Sequence, residues 1–289
     1  MLLRRVLTAS ILAPLIILAV FQLSSPLFAV FWGVIILVAA WEWTNLAGIN
    51  KIYKKILFLI LLALAMAALH SWTWILEMGA QILKWPEIRN FSGLIEWTVV
   101  LPIIFWFVIM VLIRNKPQDL LALKIKTRYK ALLGWFILLA AWMFLARLKL
   151  LYGAEMVLYF LLLIWAADIA AYFVGKKFGV TKLAPDISPG KTVQGMYAAL
   201  VSAVVSALVL GLVYGFPPLI ISDFALLSVL TILISIYGDL FFSYMKRLRG
   251  VKDSGTLLPG HGGLLDRIDS MIAAIPLFYA GVILIGRIT

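Results

Sequence analysis

The sequence predicts an all-α integral membrane protein with about nine transmembrane helices, folded as a single domain over residues 1–289. Its mean hydropathy is +1.08. Hydrophobic residues make up 64% of the chain and charged residues 13%, whereas soluble domains contain about 25% charged residues. The chain contains no cysteine, which excludes disulfides, thiolate metal ligands and cysteine nucleophiles.

Nine apolar windows follow one another along the chain, each close to the ~20 residues that cross a bilayer. The first follows Arg4 and Arg5 and resembles a signal peptide. No small-residue cleavage site follows it, so we interpret it as a retained helix. The windows lie at residues 6–23, 27–47, 56–76, 97–113, 131–146, 155–174, 196–214, 219–242 and 271–286.

The distribution of lysine and arginine predicts the orientation of these helices. Five windows fall within 1–150 and four within 151–289, and the inner connections of the second set are 175–195 and 243–270. With a cytoplasmic amino terminus, 20 of the 25 basic residues lie on the inner side, so the positive-inside rule places the carboxyl terminus outside. The net charge of +12 then reflects topology and attraction to anionic lipids, and we expect no nucleic-acid partner. The outer basic residues are Lys84, Arg89, Arg147, Lys149 and Arg287.

Three carboxylates, those of Glu42, Asp168 and Asp239, fall inside apolar windows. Burying a charge in a bilayer costs a few kcal/mol, so such residues indicate functional sites. Glu42 could reach the interface or cap a neighbouring helix, and we interpret its role as structural. Asp168 shares a helix face with Tyr172 and Gly175, and a structural ion pair is the alternative for it.

Asp239 lies near the end of the eighth window, with Ser243 and Lys246 four and seven residues later. On a helix these positions lie along one stripe, which gives an acid, a hydroxyl and an amine on the same face.

Asp266 and Asp269 are three residues apart, on a helix predicted to begin after Gly262 and Gly263, so both carboxylates face one point. With Asp239 they would supply three oxygen ligands. Such ligands suit Mg²⁺, with Mn²⁺ as a substitute, and a chain with two histidines and no cysteine offers little for zinc. A solvated charged loop is the alternative interpretation.

The substrate of such a centre should contain phosphates, because basic residues surround the acids. Gly262 and Gly263 would let the backbone and a helix amino terminus approach an anion. His261 could donate to a phosphate or transfer a proton, whereas His70 lies in an apolar window and is interpreted as a core residue. The basic residues are Lys246, Arg247, Arg249, Lys252 and Arg267.

The connection "KLAPDISPGKT", residues 182–192, ends like a phosphate-binding P-loop. We reject that interpretation because Pro185 stands where the motif needs glycine, and because no preceding strand is predicted. A weaker prediction remains, in which Ser188, Lys191 and Thr192 contact a phosphate at the start of the seventh helix.

The stretch "SYMKRLRGVKDSGTLLPGHGGLLDRID", residues 243–269, resembles the signature of the phosphatidate cytidylyltransferases, also called CDP-diacylglycerol synthases. The segments "DIAAYFVGKKFG" at 168–179, "SPGKT" at 188–192, "GDL" at 238–240 and "WEW" around Glu42 are also similar to that family. The similarity is strongest from Trp165 onward, and the first 150 residues match mainly in hydropathy.

This resemblance implies transfer of CMP from CTP to phosphatidic acid, giving CDP-diacylglycerol and pyrophosphate with Mg²⁺. It implies a bacterial inner-membrane enzyme whose active site faces the cytoplasm and whose catalytic region is 151–289. Membrane lipids are expected around it, and a second cation and a homodimer stay open. The implied catalytic residues are Asp239, Asp266, Asp269, Ser243 and Lys246, with the three aspartates as metal ligands. The implied substrate-binding residues are Lys191, Ser188, Thr192, Arg247, Lys252, Asp253, His261, Gly262, Gly263, Arg267, Asp168 and Tyr172.

The chain departs from the family at two places. Members often have a small hydroxyl residue after the counterpart of Asp168 and an acid before the counterpart of Ser243, where this chain has Ile169 and Phe242. Two alternative functions stay open, a CTP-dependent lipid kinase and, from another class, a divalent cation transporter. The transporter explains poorly the basic residues beside the acids.

Overall fold

The computed structural model describes residues 2–257 and 262–288. The described chain is almost entirely helical, with one short antiparallel β-hairpin and one 3₁₀ helix, Pro86–Gly93. The elements are α1 (Leu2–Gln22), α2 (Ser25–Ala47), α3 (Ile52–His70), α4 (Trp72–Ile82), α5 (Leu94–Trp97), α6 (Val100–Asn115), α7 (Pro117–Ala122), α8 (Thr127–Phe178), β1 (Lys182–Ala184), β2 (Ser188–Thr192), α9 (Val193–Tyr214), α10 (Pro218–Arg249) and α11 (Leu265–Ile288).

The long helix α8 consists of two arms that meet at Gly153. This residue has φ 80° and ψ −177°, a conformation that breaks the helix and that favours glycine. The fifth and sixth apolar windows, 131–146 and 155–174, fall on the two sides of the break. Helix α8 therefore contains two segments, and each is close to the length that crosses a bilayer.

The all-α membrane architecture agrees with the sequence prediction. Within the described residues, seven helical stretches are long and apolar enough to cross a membrane, with α8 counted once. The first helix contributes a shorter apolar stretch, Ser10–Gln22. The number of nine spans and the orientation of the termini stay predictions.

Helices α2 and α8 are joined by a reciprocal pair of tryptophan hydrogen bonds. Trp32 Nε1 donates to the carbonyl of Ala141 over 3.2 Å, and Trp142 Nε1 donates to the carbonyl of Ala29 over 2.9 Å. Residue numbers rise on one helix as they fall on the other, so the helices run antiparallel. These tryptophans therefore act as packing residues that join the two helices.

An aromatic cluster packs α2 against α6 and α10. Trp43 is fully buried and lies with ring centroids 6.3 Å from Phe241 and 5.8 Å from Phe242. Trp106 adds a third ring, 5.4 Å from Phe241. A Cβ on Gly134 would lie 1.7 Å from Trp43 Nε1, so this glycine makes room for the indole.

Helices α10 and α11 cross at close range through a glycine. A Cβ placed on Gly238 would lie 2.2 Å from Cβ of Ala273 and 3.6 Å from the carbonyl oxygen of Asp269. Further along, the space beside Gly281 is filled by Leu227, so the two helices run antiparallel. Because the backbones approach this closely, residue 239 lies next to the start of α11.

The polar connections are more ordered than hydropathy predicts. The predicted outer loop 77–96 contains part of α4 and the 3₁₀ helix, held by an ion pair of 2.6 Å between Arg89 and Glu77. The hydrogen bond from Arg89 lowers the pKa of Glu77 to about 2.

On the other side of the bundle, the predicted inner loops 175–195 and 243–270 are entered by helix ends at Phe178 and Arg249. An apolar window marks the lipid-facing part of a helix, and the helix itself continues until its cap. For α10 the cap is Gly250, with φ 74°.

Candidate active site at one end of the bundle

The hairpin β1–β2 forms one side of the site, and the sequence analysis predicted no strand there. Lys182 pairs with Thr192 and Ala184 with Ser188, with an irregularity between them. "SPGKT" is therefore a strand in an antiparallel hairpin, which differs from the strand, loop and helix of a P-loop. The rejection of the P-loop agrees with this geometry.

Thr192 has a local structural role in this arrangement. Its hydroxyl accepts a hydrogen bond of 3.1 Å from the amide of Gly195 and so caps the amino terminus of α9. Its side chain also lies against Gly175 and Gly179, where α8 and α9 approach each other. The predicted phosphate contact of Thr192 stays a prediction. The cap uses the hydroxyl oxygen as an acceptor and leaves its O–H group able to donate.

Lys191 connects the hairpin to α10. Its ammonium lies 2.7 Å from Oδ2 of Asp239 and donates to the carbonyl of Ile236 over 3.1 Å. Oδ1 of Asp239 accepts from the Ser243 hydroxyl over 3.3 Å, as the spacing of four residues predicts for a helix face. The Lys191 and Asp239 side chains are 25% and 31% exposed, so the pair is accessible to a ligand.

Asp266 is the most fully hydrogen-bonded acid of the site. Oδ1 accepts from the ammonium of Lys246 over 2.6 Å. Oδ2 accepts from the amide and hydroxyl of Ser254, at 2.8 and 3.0 Å, and from the amide of Gly263 at 3.1 Å. In this geometry Asp266 organises the loop before α11, and its predicted role as a third metal ligand would require exchange of Lys246.

Asp269 is 6% exposed and lies one helical turn further along α11. Oδ1 accepts from the amide of Ser270 over 2.8 Å. Its carboxylate interacts electrostatically with that of Asp239 across the close crossing of α10 and α11, and Lys191 and Lys246 oppose this repulsion. Two carboxylates from different helices are thus brought together beside two ammonium groups.

This donor set fits a hard divalent cation bound together with a nucleotide. Mg²⁺ is typically held by one or two protein carboxylates, with substrate phosphates as further ligands, and Asp239 and Asp269 are such a pair. Throughout residues 2–257 and 262–288, no group of three or more His, Cys, Asp or Glu side chains is placed to hold a metal ion. An ion at this place would therefore take its remaining ligands from phosphate oxygens and water.

A cavity of about 590 Å³ opens beside Lys191 and Asp239, between α8, the hairpin, α9 and α10. Its size is ordinary for a small-molecule site. Asp168 lines it and interacts electrostatically with Lys191, Asp239 and Arg267. Charged and apolar side chains both line it. The charged ones are those of Asp168, Lys176, Lys182, Lys191 and Asp239, and the apolar ones include Ala167, Ala171, Met196, Ala199, Ile232 and Ile236.

Other predicted site residues line this cavity or lie on and beside the hairpin. Tyr172 is 61% exposed and lines it, with the Lys176 ammonium 5.8 Å from its ring centre. Arg247 donates through Nε to the carbonyl of Ile187 over 3.1 Å, so part of its guanidinium anchors the hairpin. Ser188 lies at the start of β2.

The loop before α11 holds the other predicted residues. Lys252 and Asp253 are exposed, and Gly262 adopts φ 82°, which favours glycine. The prediction for His261 lies outside the described residues.

The two departures from the family pattern have separate surroundings. Phe242 is 1% exposed and belongs to the aromatic cluster with Trp43, so this position faces the core. Ile169 is 58% exposed, which suits a lipid-facing position. Asp239 and Asp269 therefore keep their arrangement without polar residues at these two places.

Sequence reasoning missed Ser254 and the pairing of Lys191 with Asp239. A serine in a polar loop gives no signal of its own, and the lysine and aspartate are 48 residues apart. Glu42 caps α11, as one of its two interpretations expected: it accepts from the Leu264 and Leu265 amides over 3.0 and 2.8 Å.

Comparison with known proteins decides the family. The family model described as the cytidylyltransferase family matches residues 3–285. The chain belongs to the cytidylyltransferase family. A phosphatidate cytidylyltransferase of Pseudomonas aeruginosa is 38% identical over 281 residues, covering 97% of this chain and 96% of the relative. One from Haemophilus influenzae is 32% identical over 289 residues, covering 96% and 97%.

The match with this family extends through the amino-terminal helices, for which the sequence analysis found similarity mainly in hydropathy. The family region thus includes α2, whose Glu42 contacts the start of α11, as well as the helices that contain the aspartates.

Proposed function

We infer that the chain is a phosphatidate cytidylyltransferase, which transfers CMP from CTP to phosphatidic acid and releases pyrophosphate. The family and the names of the relatives support this function. The structural observation that carries it is the cavity lined by both charged and apolar side chains, beside the carboxylates of Asp239 and Asp269. Such a cavity suits a phosphate head group attached to acyl chains.

We propose that Asp239 and Asp269 hold a Mg²⁺ ion, with Mn²⁺ as a substitute and Asp266 as a third ligand if Lys246 moves away. When bound, the ion would neutralise phosphate charge and polarise the phosphorus–oxygen bonds. Ser243 hydrogen-bonds to Asp239 and fixes the orientation of that carboxylate.

The basic residues would also reduce the repulsion between the two anionic substrates, CTP and phosphatidic acid. Lys191 and Lys246 pair with Asp239 and Asp266, and we propose that they turn to the triphosphate when it binds. Arg267 and the exposed Lys252 lie on the same side and add positive charge. A planar guanidinium and a mobile ammonium both suit phosphate oxygens.

The reaction then needs positioning more than proton transfer. A phosphate monoester is a nucleophile at neutral pH, so an oxygen of phosphatidic acid attacks the α-phosphorus of CTP in line. A new phosphorus–oxygen bond forms as the bond to pyrophosphate breaks. The chain contributes by aligning the reactants and stabilising the developing charge, without a covalent enzyme intermediate.

We propose nine membrane crossings, with the amino terminus and this site on the cytoplasmic side of a bacterial inner membrane. The distribution of basic residues supports this orientation. The apolar side chains of the cavity would contact the acyl chains of phosphatidic acid in the inner leaflet, while CTP would arrive from the cytosol.

The test is incorporation of label from CTP into lipid. Purified protein with phosphatidic acid and Mg²⁺ should move label from the α-phosphate of CTP into lipid and release pyrophosphate. Transfer of label from the γ-phosphate, with release of CDP, would favour a lipid kinase. Folded protein that transfers neither label would contradict both.

A further inference from the structure

Glu42 on α2 is a buried carboxylate that the proposed reaction does not use. It is 4% exposed and lies in an apolar helix. In the described part of the chain, the ion pairs involve other carboxylates, those of Glu77, Glu96, Asp239 and Asp266. A charge is costly at such a place unless hydrogen bonds satisfy it.

The partners of Glu42 belong to the start of α11, more than 200 residues away in the sequence. Oε1 accepts from the amide of Leu264 over 3.0 Å, and Oε2 accepts from the amide of Leu265 over 2.8 Å. The first amides of a helix have no partner within the helix, and its dipole favours an anion there. Glu42 thus supplies the amino-terminal cap of α11 from another helix.

Ser254 links this cap to the acids of the site. Its hydroxyl lies 2.9 Å from Oε2 of Glu42 and 3.0 Å from Oδ2 of Asp266. Asp266 in turn holds Lys246 over 2.6 Å. A continuous chain of contacts therefore runs from α2 through the loop to Lys246 of α10.

Two glycines leave the space that the Glu42 carboxylate occupies. A Cβ on Gly255 would lie 2.4 Å from Oε1 of Glu42, and one on Gly263 would lie 2.4 Å from Oε2. No side chain fits at those distances unless the carboxylate moves. The loop is thus built around Glu42 on two sides.

We propose that Glu42 is a positioning residue, which fixes the start of α11 and thereby the distance of Asp269 from Asp239. This inference rests on the proposed function. Glu42 does not touch the reacting groups and acts through the helix that it caps. Packing alone would not require a carboxylate, since an apolar side chain of similar size fills a core without the cost of a buried charge.

The test compares Glu42→Gln with Thr44→Val. Glutamine has the shape of glutamate, but an NH₂ group replaces one of the two accepting oxygens. That group faces an amide or hydroxyl donor and cannot accept its hydrogen bond. Thr44 is a matched control, because it is fully buried one position beyond Trp43 and its hydroxyl donates to the nearby carbonyl of Trp41. Both proteins are first compared with wild type for thermal stability in detergent.

Two measurements report on the start of α11. Without metal, hydrogen exchange of peptides that cover Leu264 to Ile268 should become at least about tenfold faster in Glu42→Gln and stay unchanged in Thr44→Val. The Mg²⁺ concentration for half-maximal activity should rise by about 10- to 100-fold in Glu42→Gln, as for other residues that orient metal ligands.

The outcomes distinguish a failure of the proposed function from a failure of the positioning role of Glu42. If wild type makes no CDP-diacylglycerol, the proposed function fails. If wild type is active and folded Glu42→Gln keeps its exchange rates and Mg²⁺ requirement, the positioning role is wrong. Should Glu42→Gln not fold, Gly255→Ala displaces the same carboxylate from the loop side, and an unchanged Mg²⁺ requirement in that variant would overturn the inference.

Discussion

At the scale of single residues, the lysines of the site form ion pairs with its own aspartates. Lys191 lies 2.7 Å from Asp239, and Lys246 lies 2.6 Å from Asp266. Without these lysines, the carboxylates in this largely buried place would repel each other and CTP. The lysines remove that repulsion and remain close enough to meet phosphates when a nucleotide enters.

Replacement of Lys191 by methionine should therefore weaken the use of CTP. Loss of one charge-assisted hydrogen bond, worth about 1.5–3 kcal/mol, should lower kcat/KM for CTP by about 10- to 100-fold. Steady-state kinetics at saturating phosphatidic acid measure this. Lys177→Gln removes an exposed lysine of the same connection as a control, and an equal loss there would mean that only net charge matters.

The residue types of the site could be predicted from the sequence, and their pairings only in part. Asp239 with Ser243 follows from helix spacing, and the contact is 3.3 Å. The pairing of Lys191 with Asp239 depends on the hairpin, and the hydrogen bonds of Asp266 depend on Ser254. Such contacts arise from tertiary packing, which local periodicity does not contain.

At the scale of elements, the crossing of α10 and α11 sets the position of the two acids. Gly238 allows the approach, because a Cβ there would lie 2.2 Å from Cβ of Ala273. Asp239 follows Gly238 directly, and Asp269 lies one turn before Ala273. The separation of the carboxylates therefore depends on the absence of one methyl group.

Gly238→Ala should push these helices apart and reduce activity. Overpacking of this kind costs about 1–3 kcal/mol in the free energy of unfolding, and displaced reacting groups can cost about 100-fold in rate. The double variant Gly238→Ala with Ala273→Gly moves the methyl group to the other helix and should recover most of the activity. Thermal stability and CDP-diacylglycerol formation measure both effects, and a double variant no better than the single one would contradict this role of the crossing.

The helices could be predicted from hydropathy, whereas their ends and the hairpin could not. Helix α10 runs seven residues beyond its apolar window, to Arg249, because Gly250 rather than polarity ends it. The strand Ser188–Thr192 contains proline and glycine, which are rare in strands. Tertiary contacts hold it in place. Arg247 donates to the carbonyl of Ile187 just before the strand, and Lys191 within the strand pairs with Asp239.

At the scale of the whole molecule, the candidate site gathers at one end of the helix bundle. Arg249 at the end of α10 donates to Asn50 after α2 over 3.3 Å, and Glu42 reaches the start of α11. Lys191 joins the start of α9 to α10. The proposed orientation places this end in the cytoplasm, which follows from the positive-inside rule.

The cysteine-free chain allows a direct test of that orientation. Asn90 and Gln118 are both exposed and lie on opposite sides in the proposed topology. A membrane-impermeant maleimide should label Asn90→Cys in right-side-out vesicles and Gln118→Cys in inside-out vesicles. The reverse pattern would place the amino terminus outside.

The central claim is that Asp239 and Asp269 together hold the cation that binds CTP, and the most direct measurement is the turnover of folded Asp269→Asn. With phosphatidic acid, α-labelled CTP and saturating Mg²⁺, we expect CDP-diacylglycerol formation at least about 100-fold slower than wild type. Asp223→Asn, on the other end of α10, should keep wild-type turnover. Near-normal turnover of Asp269→Asn would contradict the claim.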